Sequence, residues 1–81
     1  GYQCYSISGK FFVGFSNKNN WHVIIRLPKE EQQIAIKTSG IKVFSHGAKS
    51  GWIEIDTKVI TNDAWIWIKK GHEHAKILAK Q

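Results

Sequence analysis

Phe11, Val13 and Phe15, then Trp21, Val23, Ile25 and Leu27, recur at every second position, whereas Ala64, Ile68, Gly71, Ala75 and Leu78 recur at spacings of three and four. The first spacing puts one set of side chains on a single face of a strand, and the second builds one stripe on a helix. This change of period most constrains the fold: the chain opens with sheet and closes with helix.

The segments between follow the same logic. Residues 2–7 are β-branched and aromatic, which suits a first strand. Ser8-Gly9-Lys10 reads as a short turn in which glycine can take positive φ. Phe11 to Phe15 is a second strand, with Gly14 on its other face marking a bulge or the close approach of a packed element. The polar run 17–20 turns the chain into a third strand, Trp21 to Leu27. Pro28 ends that strand and can occupy the first turn of a helix, where its missing N–H costs nothing. Residues 29–33 are good helix formers, and Glu30 and Glu31 suit the positive end of the helix dipole. The expected helix runs over 29–38 and stops at Ser39-Gly40, although Ile34 and Ile36 could instead alternate in a strand. Strands are expected at 41–46 and 52–57, joined by a loop at 47–51. Thr61, Asn62 or Asp63 can cap the last helix. Gly71 inside that helix costs about 1 kcal/mol relative to alanine, and close packing against a partner is the natural compensation.

The order β-β-β-α-β-β-α describes an α+β domain, a five-stranded largely antiparallel sheet with helices packed on it. At 81 residues the chain is long enough for one domain, spanning 1–81, and too short for two. Its aromatic and hydrophobic content excludes a disordered chain. Cys4 is the only cysteine, so no internal disulfide can form and a disulfide-linked partner is not expected; a cytoplasmic setting is the default reading. No apolar run approaches the length of a transmembrane helix, and no membrane partner is expected. The absence of Met at position 1 suggests a fragment or a processed chain.

The formal net charge of +6 invites a nucleic-acid partner. Yet eleven of the twelve basic residues are lysine, spread evenly, and Arg26 is the only arginine suited to bidentate phosphate or guanine contacts. Lys10, Arg26, Lys42 and Trp52 are the residues a nucleic-acid interface would use. Tyr2, Tyr5, Phe12, Trp21 and Trp52 could serve as stacking platforms between lysines, or simply as sheet core.

Three stretches resemble the N-terminal domain family of TfoX-like competence regulators. Gly1-Tyr2 through Gly9-Lys10-Phe11-Phe12 is similar to the family's opening strand and hairpin. Val23 to Glu31 is similar to its strand entering a helix. Gly51-Trp52-Ile53-Glu54-Ile55-Asp56, followed by Asn62-Asp63-Ala64, Trp67 to Gly71, Ala75 and Leu78, is similar to its Gly-Trp strand and final helix. The resemblance spans nearly the whole chain, and the MmcQ/YjbR type is a second family with similar strand logic. It implies a further helix before the first strand, absent from a chain that starts at Gly1; a partner chain or self-association could cover sheet surface left open there. It also implies a non-catalytic module in the regulation of competence genes or transcription, without an assigned ligand site.

The residues themselves offer little for catalysis. Cys4, His22, His46, His72 and His74 lack metal-ligand spacing, and His72 and His74 fall on different sides of a helix. Glu54 and Asp56 share a strand face beside Trp52, where paired carboxylates are usually solvated. Gly47 to Gly51 is too short for a phosphate loop and joins two strands. No catalytic residue, cofactor or metal is therefore expected. A protein-interaction module is the leading expectation, direct nucleic-acid binding the alternative, and a small ligand-binding or enzymatic domain the third.

Overall fold

The computed structural model describes residues 3–16, 22–38, 40–56 and 63–80. Strands β1 (Gln3–Ile7), β2 (Lys10–Ser16) and β3 (His22–Arg26) come first, then helix α1 (Lys29–Ala35), strand β4 (Ile41–Val43), a 3-10 helix (Ser45–Ser50), strand β5 (Trp52–Asp56) and helix α2 (Asp63–Ala79). The five strands form one sheet in the order β1-β2-β3-β5-β4, with every neighbouring pair antiparallel. The expected α+β class and element order are therefore present. The chain leaves β3, passes through α1 to the far edge, and returns to insert β5 between β3 and β4.

The β1–β2 hairpin turns on Ser8 and Gly9, both at positive φ (49° and 80°), the backbone that matches strand twist in two-residue turns. Val13, Ile25, Ile53 and Val43 form one rung across the sheet, and Phe15, Val23, Ile55 and Ile41 the next. These rows face the helices. Val13, Val23, Ile25, Ile41, Ile53 and Ile55 join Leu27, Ala35 of α1 and Trp67 of α2 in a single core. Both helices thus lie on one face of the sheet, giving two layers.

The expected common face of Phe11, Val13 and Phe15 is corrected at its first member. The register slips between Tyr5 and Ser6, so Val13 pairs with Tyr5 while Phe11 pairs with Ser6. Phe12 is the extra residue of this bulge. It packs against the core and lies 5.3 Å from the His72 ring of α2, while Phe11 is half exposed.

Gly71 is buried where α2 crosses the sheet. A Cβ there would lie 2.6 Å from Ile25 Cγ2 and 3.1 Å from the Arg26 carbonyl oxygen. Close packing is thus the reason for a glycine in mid-helix. Helix α1 is shorter than the expected 29–38: it ends at Ala35, and Lys37 and Thr38 close a tighter turn by donating to the carbonyls of Ile34 and Ala35. Pro28 sits just before the helix, and its carbonyl accepts from Gln32 N–H at 2.9 Å. The strand expected over 41–46 stops at Val43, because the chain then winds into the 3-10 helix where a loop was expected. The turn at 17–20, Ser39 as a helix stop, and the Thr61 and Asn62 caps lie outside the described residues, as do Tyr2 and Trp21.

Gln32 links the layers. It is 1% exposed, and its Nε2 donates to the carbonyls of Ala48 (3.0 Å) and Trp52 (3.1 Å). Lys29 Nζ also donates to Ala48 O at 3.0 Å. Gly51, at φ 93°, closes the 3-10 helix, and its carbonyl accepts from Leu27 N–H at 3.1 Å.

Candidate functional site

The face of the sheet opposite the helices carries its own cross-strand rows. Cys4, Gly14, Ile24, Glu54 and Lys42 stand in one line, and Ser16, His22 and Asp56 in the next. Gly14 shapes the first row. A Cβ there would lie 2.9 Å from Ile24 Cγ1 and 3.0 Å from Cys4 Sγ, so glycine lets Ile24 lie down over β2. Ile24 is 4% exposed although it faces away from the core.

Glu54 is the centre of a charged cluster. Its Oε2 lies 3.3 Å from His22 Nδ1, and its Oε1 lies 3.8 Å from Lys42 Nζ. The side chain is 16% exposed, against the solvated pair expected for Glu54 and Asp56. Pairing with Ile24 on one side and Lys42 on the other shields it. The approach of His22 is not aligned for a hydrogen bond, and Nδ1 is a buried nitrogen without one among the described residues. His22, Glu54, Asp56, Lys42, Gly40 and Ile41 line a cavity of about 310 Å³ at this end of the sheet. A concave site thus exists beside Glu54, but Trp52 and Cys4 do not line it. Chemically, the cluster is a carboxylate held between two cationic or proton-accepting groups. Among the described residues, no three His, Cys, Asp or Glu side chains are grouped to hold a metal ion.

The residues expected for nucleic acid are only partly brought together. Arg26 and Trp52 are directly opposed on β3 and β5. Arg26 Nε donates to Ser50 O at 3.3 Å, and the Trp52 side chain packs over Gly47, where a Cβ would collide with the ring. Lys42 stands on the same face two rungs away, tied to Glu54. Lys10 sits at the β1–β2 hairpin, paired with Ile7 and two strands from Trp52. Nor do Tyr5, Phe12 and Trp52 make one platform. Tyr5 packs edge-on to Phe15 at 6.0 Å on the helix-bearing face, Phe12 packs under α2, and Trp52 faces the other way.

The helix layer carries two further concavities, one on each flank of α2. Toward α1, Pro28, Glu31, Lys69, Lys70, Glu73, His74 and Ile77 line a groove of about 260 Å³. Glu31 Oε2 and Lys70 Nζ bridge the helices at 3.3 Å. Burial lowers the pKa of His74 below 6.5, the Arg26 charge lowers it further, and Glu30 opposes the shift. Toward β2, Phe12, Trp65, Ile68, Lys69, His72 and Glu73 line a cavity of about 270 Å³. His72 and His74 therefore occupy opposite flanks, as their spacing requires. The helix-layer concavities were not legible from the stripe of small residues, which speaks only for the face turned to the sheet.

No family model matches the chain, and no curated protein or solved structure matches it significantly.

Proposed function

We propose that the chain is a non-catalytic protein-interaction module of the cytoplasm, acting in transcriptional or competence regulation as its resemblance to the TfoX N-terminal family implies, and that the α1–α2 groove is its docking surface. One observation carries the reading: both helices that form the groove carry half-exposed isoleucines, and one of them, Ile77, lines it. Ile34 of α1 is 53% exposed, and Ile66 and Ile77 of α2 are 52% and 57% exposed. Ile66 and Ile77 are three helical turns apart, about 16 Å, and so project from one side of α2. An apolar groove of this kind, rimmed by the Glu31–Lys70 bridge, suits the apolar stripe of a partner's amphipathic helix. The glutamate on the sheet face, engaged by His22 and Lys42, supports binding chemistry less well, because its charge is already met within the chain.

A photocrosslinking residue at position 77 tests this in the native host, with the same residue at Lys49 as a control. The expected result is one partner captured at 77 and not at 49, whose purified form binds the wild-type chain and loses affinity for Ile77→Asp. Equal capture at both positions, or unchanged affinity of that variant, refutes the groove as the docking surface. Capture of a second copy of the chain would replace the partner with self-association.

A further inference from the structure

The flank of α2 that faces β2 differs in chemistry from the groove on its other side. Three rings converge there: Phe12 from the bulge, and Trp65 and His72 from the helix. Phe12 and His72 stand nearly perpendicular, with centroids 5.3 Å apart and planes at 87°. Trp65 is 69% exposed, the most exposed of the large hydrophobic side chains among the described residues. Ile68 adds apolar lining, and Lys69 lies one turn beyond Trp65 on the same side of the helix. Among the described residues Lys69 has no carboxylate partner. The acid one turn further on, Glu73, lies instead 3.8 Å from His72 Nδ1 and 3.9 Å from Lys76 Nζ.

We propose that this cavity binds a nucleotide unit, with the planar base against the Trp65 face and the phosphate on Lys69. Each feature contributes a separate requirement. An exposed indole with two further rings beside it favours a flat π-system, and stacking of this kind tolerates any base. The Lys69 ammonium, without a carboxylate partner among the described residues, favours an anion attached to that ring. Glu73 also lines the cavity, but its carboxylate lies toward His72 Nδ1 (3.8 Å) and Lys76 Nζ (3.9 Å), and the anion's place is at Lys69. A volume of about 270 Å³ lies just below the usual range of about 300–1,000 Å³ for ligand pockets, which leaves room for one unit at most. The net charge of +6 draws anions to the surface as a whole, while the rings decide where one is held. The site uses none of Lys10, Arg26, Lys42 or Trp52; it shares Lys69 and Glu73 with the α1–α2 groove, while its rings, Phe12, Trp65 and His72, line this cavity and not that groove.

The same chemistry comes from two sources, a free nucleotide or one unit of a single strand. Calorimetric titration of the chain at low salt with AMP, with a twelve-residue oligothymidylate and with a duplex of the same length separates them. Saturable binding of AMP assigns the free nucleotide; binding of the oligothymidylate alone assigns the single strand. In either case Trp65→Ala is expected to weaken binding about tenfold or more. With the single strand, Lys69→Ala is expected to reduce the slope of log K against log salt by about 0.7. Trp65 is exposed, so its alanine variant should keep the wild-type circular dichroism and thermal midpoint, which verifies that loss of binding is not loss of fold. No saturable binding of AMP or single strand overturns the proposal. So does duplex binding alone, or single-strand binding unchanged by Trp65→Ala, which would reflect dispersed lysines only.

Discussion

Replacing Gly71 with alanine sets two opposing terms against each other, a helix-propensity gain and an overpacking cost. In an exposed helix the change stabilises by about 1 kcal/mol, because alanine is the better helix former. Here the added methyl would lie 2.6 Å from Ile25 Cγ2, 3.1 Å from Arg26 O and 3.4 Å from Phe12 O. Two of those three neighbours are backbone atoms of paired strands and cannot swing aside. The third belongs to Ile25, fully buried in the core. Overpacking of this kind costs about 1–3 kcal/mol. The expected result is a net loss of about 0–2 kcal/mol for Gly71→Ala, after subtracting the helix gain. Gly71→Leu, which offers more volume to the same gap, should lose at least the full 1–3 kcal/mol. Urea denaturation followed by far-UV circular dichroism measures both, and a loss of 1 kcal/mol corresponds to about 4–8 °C in thermal midpoint for a domain of this size. An alanine variant more stable than wild type would refute the reasoning, since it would mean that α2 stands away from the sheet at this point.

Other substitutions test other joints. Gly51→Ala combines a φ of 93° with a methyl driven into the Leu27 carbonyl, and is expected to cost more than about 3 kcal/mol and to leave little folded protein in a thermal melt. Gln32→Leu removes the donor to Ala48 O and Trp52 O, with an expected loss of about 1–3 kcal/mol and faster amide exchange at the start of β5. Because burial and Arg26 lower the His74 pKa, the unfolded chain binds more protons than the folded one as pH falls through 6.5. The stability owed to neutral His74 is full above that pH and is lost as pH drops through the lowered folded value; His74→Gln should flatten this part of the stability profile. Glu54→Gln leaves His22 and Lys42 without their carboxylate and should cost no more than about 1 kcal/mol, since the Lys42 arm is largely exposed, as judged by chemical denaturation.

The backbone of this fold was legible where side-chain period is unambiguous. Trp21 to Leu27 and Trp52 to Thr57 alternate cleanly, and the structure has β3 and β5 there, with Ile53 and Ile55 in the core. Gly71 was legible too, because a glycine in mid-helix is unfavourable without close packing. Phe11 was not, since the bulge at Phe12 depends on how β1 pairs with β2, and period alone carries no register. The 3-10 helix was missed for a similar reason: its turn is held from outside, by Gln32 and Lys29 donating to Ala48 O. Glu54 looked like half of a solvated pair because its shelter comes from Ile24 and Lys42 on neighbouring strands. The cavity beside Trp65 joins a strand residue to five helix residues far along the chain, and only tertiary structure brings Phe12 to them.

The strand order bears on how the chain can be made. Among the described residues β5 is the last strand in sequence, yet it lies between β3 and β4, and β4 pairs with no other strand there. During N-to-C synthesis the β1–β2–β3 meander can assemble as it emerges, but one edge of β3 stays open until Trp52 to Asp56 have been made. A chain stalled at residue 50 would therefore expose Val23 and Ile25 beside an unpaired strand edge, a template for pairing with other nascent chains. Arrival of β5 closes that edge and anchors β4 in one step, so the last strand acts as the keystone that commits the sheet.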